Sequence, residues 1–388
     1  MELRLLRRWN YNYTVLLVTW FGWICIYLAR SVLPPVLPVL REELGLTYAQ
    51  AGLLETAYLI GYIISKVPAG ALSNSYGPRR VLTVSMVGYG AATLLTSQAA
   101  GFVDIFTLRF LVGLFQGVHL PVANALLSER FGSKQNRAIG FNESGANIGN
   151  TLAFPLTVTI ISALSWRYAF IFLSIPAFLL SVGTLIFMKE EPDRLVNKNV
   201  NTGRQLGEYS HVLIPFAISH AAYNLILITT FTFTPIFLVE FRGMEVTTAG
   251  FVAMVLPLAG ILAKISSGFV SERLGSKRAI TSASALSAVL LTMLVILPAW
   301  TLVPNLLMLG LMLYSFSPII YSSTTSSLPS ELKSMGLGVV TMFGNIVGAI
   351  STSLVGALID SNGYVTTFII VTFVTLVSGV IIQIYMRE

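Results

Sequence analysis

Four basic side chains, Arg30, Lys66, Arg109 and Lys264, fall inside apolar runs long enough to cross a lipid bilayer. Ionisable groups at that depth are costly and mark function unless they reach a partner or the interface. Only one acid, Glu143, lies comparably deep, with Glu55 nearer the end of its run. Four cations against one carboxylate leave a positive cavity unbalanced, and a bound anion would supply the missing charge. The guanidinium fork of Arg30 suits a carboxylate or phosphate in bidentate geometry. Lys66 and Lys264 each stand one turn before a glycine, about 12 Å from the polar end of the run at about 1.5 Å per residue. Each Lys either snorkels toward that end or turns into the cavity. Arg109 shares a helical face with Gln116, and reads either as an anion ligand or as a surface charge beside Asp104.

Two groups could carry a proton. Glu143 begins a polar stripe with Asn147 and Asn150, and either titrates there or forms a gating ion pair with Arg137. His119 is either a proton carrier or a buried neutral ring making one hydrogen bond. Tyr27, three residues before Arg30, and Tyr62, one turn before Lys66, are the aromatic residues expected to line the cavity. The expected anion-binding set is therefore Arg30, Lys66, Arg109, Lys264, Tyr27, Tyr62, Gln116 and Asn147. No metal-ligand cluster, Ser/His/Asp set or phosphate loop is present, so neither a cofactor nor enzymatic chemistry is expected. Cys25 is the only cysteine and sits in an apolar run, which excludes a disulfide framework.

The elements that must position these residues are membrane spans. Hydrophobic residues make up 55% of the chain and charged residues 11%, and mean hydropathy is +0.77. A soluble domain has about a quarter charged residues, so lipid is the expected solvent. Twelve spans are expected, at 11–40, 48–72, 80–99, 103–127, 138–163, 166–188, 211–239, 247–270, 279–298, 302–327, 336–359 and 364–386. Prolines 34, 35, 38 and 235 predict kinks in the first and seventh. The formal net charge of +7 could suggest nucleic acid, but the basic residues alternate between loops. With both termini on one side, seventeen basic residues fall there, three on the other and four within the spans, which makes the first side cytoplasmic. The basic N-terminus leads into an uncleaved first span. The polar stretch 189–210 is a linker between an N-terminal bundle, 1–188, and a C-terminal bundle, 211–388. A monomer is expected.

The two halves repeat. AGALSNSYGPRR, residues 69–80, is echoed by SGFVSERLGSKR, residues 267–278, with Gly70 and Gly268 198 apart. The same offset maps Lys66 onto Lys264 and Arg80 onto Arg278. Twelve spans, a central linker and this repeated loop resemble the major facilitator superfamily of secondary transporters, over essentially the whole chain. The resemblance implies an all-helical membrane protein of two pseudo-symmetric six-helix bundles that rock about a midplane site. It also implies gating at Gly70, Asn74, Arg79, Arg80, Gly268, Glu272, Arg273 and Arg278. Asn74 and Ser75 replace an acid and a base of the family pattern, whereas Glu272 and Arg273 keep them.

Within the spans, residues 27–40 resemble the phosphate-ester antiporters, although Leu227 stands where those have a second Arg. Residues 109–121 resemble the organic anion:cation symporters, in which the position of Arg109 binds substrate; Ala29 and Gln116 replace acids of that branch. GANIGN, 145–150, resembles the nitrate/nitrite exchangers, which place an Arg at the positions of both Lys66 and Lys264. The implied partner is a small anion, first an organic carboxylate, then nitrate or nitrite, then a phosphate ester. Coupling is by proton symport or by anion exchange. Drug efflux would require acids in the cavity, and a receptor would require a soluble output domain.

Overall fold

A computed structural model describes residues 10–189, 207–329 and 332–385, and among these residues there is no strand. The expected linker falls largely outside them. Fourteen helices follow in order among the described residues: α1 Tyr11–Ser31, α2 Leu33–Leu44, α3 Tyr48–Tyr76, α4 Pro78–Thr96, α5 Phe102–Gln116, α6 His119–Phe131, α7 Gln135–Ala163, α8 Trp166–Phe187, α9 Ser210–Ile236, α10 Val246–Ala253, α11 Val255–Leu274, α12 Ser276–Ile296, α13 Leu302–Ser326 and α14 Lys333–Tyr385. Helices dominate because a backbone in lipid must satisfy its own hydrogen bonds. By length and apolarity, nine stretches of the described residues qualify as membrane spans. The difference from twelve has local causes. Helices α3 and α4 carry Glu55, Lys66, Arg79, Arg80 and many small polar residues, and the last two expected spans are joined as α14.

Local signals set the helix ends. The Asn10 side chain accepts from the Asn12 N–H at 3.1 Å, capping α1. Thr47 and Gln50 form a reciprocal capping box at the start of α3, at 3.0 and 3.1 Å. The repeated loop is reproduced in the backbone: Gly77, between α3 and α4, has φ 79°, ψ 145°, and Gly275, between α11 and α12, has φ 79°, ψ 147°. Only glycine enters that region without strain, so both copies keep their second motif glycine for the same turn.

Gly363 divides α14 at φ 74°, ψ 176°. Replacing Gly363 with Ala is expected to lose about 1–3 kcal/mol of stability through backbone strain alone. A thermal unfolding midpoint in detergent equal to the parent's would contradict this.

The described residues fall into two compact units. One is drawn from Met1–Leu33 with Ile60–Asn197, the other from Pro34–Leu59 with Lys198–Glu388. This division does not follow the expected boundaries at 188 and 211, because α2 and the first part of α3 group with the C-terminal helices. In the first unit α1 lies along α7. A Cβ on Gly145 or Gly149 would stand 2.5 Å from the carbonyl oxygen of Trp20 or Ile24. In the second, α9 lies along α14, where a Cβ on Gly344 or Gly348 would meet the side chain of His220 or Ile228. Small residues give helices this closeness in a membrane, where there is no hydrophobic drive to bring them together.

Candidate functional site

The backbone ladder of the first span lapses at Arg30. Pro34 and Pro35 have no N–H to return to the carbonyls of Arg30 and Ser31, four residues back. Val32 nevertheless keeps helical angles, φ −64° and ψ −33°. Neighbouring helices hold the gap. Arg109 Nη1 on α5 donates to the Arg30 carbonyl at 3.3 Å, and Ser31 Oγ donates to Asn150 Oδ1 on α7 at 2.7 Å.

Two further groups join α1 from the same direction. Gln116 Nε2 donates to the Ile26 carbonyl at 3.2 Å, and His119 Nε2 lies 3.0 Å from the Thr19 carbonyl. A carbonyl only accepts, so that ring nitrogen carries the hydrogen. Trp23 meets the His119 ring edge-on at 5.1 Å. Arg109 is 1% exposed, which overturns its reading as a surface charge. Asp104 is occupied elsewhere, accepting from the N–H groups of Ala100 and Gly101.

Lys66 belongs to the same unit as Arg30. Its Nζ stands 4.4 Å from the Tyr62 ring centre, and the Arg30 guanidinium stands 5.6 Å from that of Tyr27. Such cation–π contacts lower the cost of holding a cation in a dry setting. The stretch of α3 bearing Lys66 is set against α5 and its C-terminal end by two glycines. A Cβ on Gly61 would stand 2.2 Å from the Phe110 carbonyl, and one on Gly117 the same distance from that of Tyr62. The first unit therefore holds Arg30, Lys66, Tyr27 and Tyr62, with Arg109 and Gln116 donating to the α1 backbone at Arg30 and Ile26.

The expected stripe on α7 grades from exposed Glu143 through half-buried Asn147 to buried Asn150. Glu55 is the buried acid among the described residues, at 3% exposure, and falls in the second unit. Lys264 also falls there, half-buried on α11.

Of the expected gating residues, Arg79 donates to the Leu185 carbonyl, which ties the start of α4 to the end of α8. Arg80, Arg273, Arg278 and Gly70 are exposed, and Asn74 is half-buried. The side chains at Gly268 and Glu272 lie outside the described residues.

Two constellations in the second unit were not anticipated. The first is a latch at the ends of the spans opposite the motif loops. Arg41 pairs with Glu240, with Nε 2.9 Å from Oε1, and its guanidinium lies 3.4 Å from the Tyr48 ring centre. The Tyr48 hydroxyl also donates to Glu240. Asp360 accepts from the N–H groups of Tyr48 and Ala49 at 2.9 and 2.8 Å, binding the α3 N-terminus as a carboxylate should. Glu240 stands in a single π-helical turn, Phe237–Phe241, that follows Pro235; such turns recur at functional positions. The Thr56 hydroxyl continues the seam by donating to the Ala349 carbonyl.

E240Q is expected to weaken this latch by about 1 kcal/mol, because the ion pair is partly open to water. A cysteine at Thr56, in a Cys25→Ala background, should then label roughly fivefold faster with a thiol reagent. An unchanged rate would mean that Glu240 holds nothing closed.

The second constellation is a buried polar chain. His220 lies 3.3 Å from the Tyr321 hydroxyl, and Asn224 Nδ2 lies 3.3 Å from both His220 Nδ1 and Asn345 Oδ1. Helices α9, α13 and α14 are thereby joined. A lone His or Asn in an apolar run gives no partner away, so the sequence did not disclose it.

Comparison with known proteins agrees with this architecture. The family model of the Major Facilitator Superfamily matches residues 19–352 and 247–388. A hexuronate transporter of Bacillus subtilis (strain 168) is 27% identical over 276 residues, and the match covers 68% of this chain. The chain spans 65% of that relative's length. A D-galactonate transporter of Escherichia coli O6:H1 (strain CFT073) is 24% identical, with 95% of this chain and 94% of the relative covered. Among solved structures, a bacterial homologue of the human lysosomal transporter Spinster superposes with a TM-score of 0.83 over 96% of each chain, at 13% identity. The turns at Gly77 and Gly275, the apolar spans and the extent of the family match lead to one assignment: the chain belongs to the Major Facilitator Superfamily.

Proposed function

We propose that the protein is a secondary transporter that carries a small organic anion across the cell membrane by alternating access. The observation that carries this reading is a pair of cations within one unit and inside apolar spans, Arg30 over the Tyr27 ring at 5.6 Å and Lys66 over the Tyr62 ring at 4.4 Å. An anion bound by both supplies negative charge to the two, so the loaded site is the stable one. Arg30 supplies the fork, Lys66 a point charge, and Tyr27, Tyr62 and Asn147 the surrounding wall, while the Gln116 amide is spent on the Ile26 carbonyl. Lys264, at the position symmetric to Lys66, is the contribution of the C-terminal half. The relatives named as hexuronate and D-galactonate transporters favour a sugar-derived carboxylate over nitrate or a phosphate ester.

In this reading the helices form twelve spans in two six-helix bundles. Helices α1 to α8 make the N-terminal one and α9 to α14 the other, with α14 supplying two spans. Both termini and the motif loops face the cytoplasm, and the latch faces outward. The protein works as a monomer. Anion exchange is favoured over proton symport, because the ring proton of His119 is committed to the Thr19 carbonyl and Glu143 is exposed.

The test is uptake by purified protein in liposomes. D-glucuronate, D-galactonate, galactarate, nitrate and a sugar phosphate are compared with and without a pH gradient. Uptake of a sugar acid that depends on a trans anion and ignores the gradient is expected. No uptake of any carboxylate would reject the proposal, and uptake driven by the gradient alone would replace exchange with symport.

A further inference from the structure

The geometry points to Arg109 as a positioning residue that aims Arg30, not as a ligand of the anion. This inference rests on the reading of Arg30 as the anion-binding fork. Its basis is a chain of local causes. Pro34 cannot supply the N–H that would close the helix onto the Arg30 carbonyl, and its ring pushes against that same carbonyl. The oxygen is left as an acceptor inside an apolar span, where an unsatisfied backbone group is expensive. Arg109 Nη1 meets it at 3.3 Å.

The remaining contacts point the same way. Arg109 is 1% exposed and is thus packed within its unit. One helical face, bearing Arg109 and Gln116, donates to the carbonyls of Arg30 and Ile26, one turn apart on α1. On a second helix, α7, Asn150 accepts from Ser31. Residues 30 and 31 are therefore held by two helices at the place where their own helix has lost two hydrogen bonds. The direction in which the Arg30 side chain leaves the backbone follows from where that carbonyl is held. A guanidinium that must meet a carboxylate with two parallel bonds is sensitive to such direction, whereas an ammonium is not.

The experiment separates aiming from ligation. Equilibrium binding of D-glucuronate is measured for the full-length parent, R109M, R109K, R30K and R30K/R109M in detergent. R109M is expected to weaken binding about tenfold in the parent but less than about threefold on R30K, because a Lys at position 30 has no fork to aim. R109K, which keeps a donor for the carbonyl, should recover part of the loss. Equal fold-losses from R109M on the two backgrounds would make Arg109 an independent ligand and overturn the inference.

A second measurement needs no substrate. In a Cys25→Ala background, the labelling rate of R30C by neutral methyl methanethiosulfonate is compared with and without R109M. A change of about threefold or more is expected if Arg109 holds this segment, and an unchanged rate would overturn the inference. If no anion binds at all, the transporter reading fails, while the labelling rate still decides whether Arg109 sets the geometry at Arg30.

Discussion

Replacing Arg30 with Ala is expected to lower anion uptake by about 100-fold or more, with the protein still inserted and folded. Removing one partner of a desolvated charge pair costs about 2–5 kcal/mol, which exceeds what any single wall residue contributes. Lys66 remains in that variant, but a single ammonium cannot reproduce a two-bond grip, and the tyrosines offer rings to a cation and not to a carboxylate. R30K should retain more activity than R30A, since it restores charge without geometry. The comparison is made by initial rates in liposomes at equal protein incorporation, for whichever sugar acid the parent carries best. Uptake by R30A within a few-fold of the parent would remove Arg30 from the site and leave Lys66 without its partner.

Gly52→Ala is expected to stop transport for a different reason. A Cβ at Gly52 would lie 2.2 Å from the Thr352 carbonyl oxygen, and one at Gly356 would lie 2.2 Å from that of Tyr48. Both obstacles are helix backbone, so no side chain can turn aside to make room. One methyl group at that crossing disfavours the latched arrangement by about 3 kcal/mol, roughly 150-fold in its population. The remainder of each helix is untouched, and folding and membrane insertion should be normal. Uptake is expected to fall in step with that population, and G356A should behave alike because it obstructs the same crossing from the other side. Transport at the parental rate by both variants would show that α3 and α14 need not meet so closely during the cycle.

The parts of this molecule that were legible in its sequence are those that a single segment decides. A bilayer demands long apolar runs, so most spans announce themselves. The turn at Gly77 and Gly275 requires a positive φ, so the repeat survives as spaced glycines. Arg30 and Lys66 stand out because a charge in an apolar run has few ordinary explanations.

What escaped needs two segments at once. The Arg109 contact exists because Pro34 frees an oxygen on a helix 79 residues away. Nothing about the type of Arg109 distinguishes a guanidinium that meets a backbone carbonyl from one that meets a substrate. Arg41, Glu240 and Asp360 lie near the ends of spans, where charges are common; Arg41 meets Glu240 across 199 residues of chain, and Asp360 meets the Tyr48 N–H across 312. The break between the last two expected spans was legible, because the polar run at 360–363 interrupts the apolar sequence and Gly363 leaves helical angles there.

The latch has one further consequence. Arg41, Glu240 and Asp360 are not sealed in lipid; each retains exposure at the ends of the spans. Mobile ions of the medium can therefore gather around them, with a Debye length of about 10 Å at 0.1 M salt and about 3 Å at 1 M. Concentrated salt should loosen the seam that dilute salt tightens, while the Thr56 bond and the glycine crossing, which carry no net charge, stay indifferent. The ionic strength of the surroundings should thus set how tightly this seam is held.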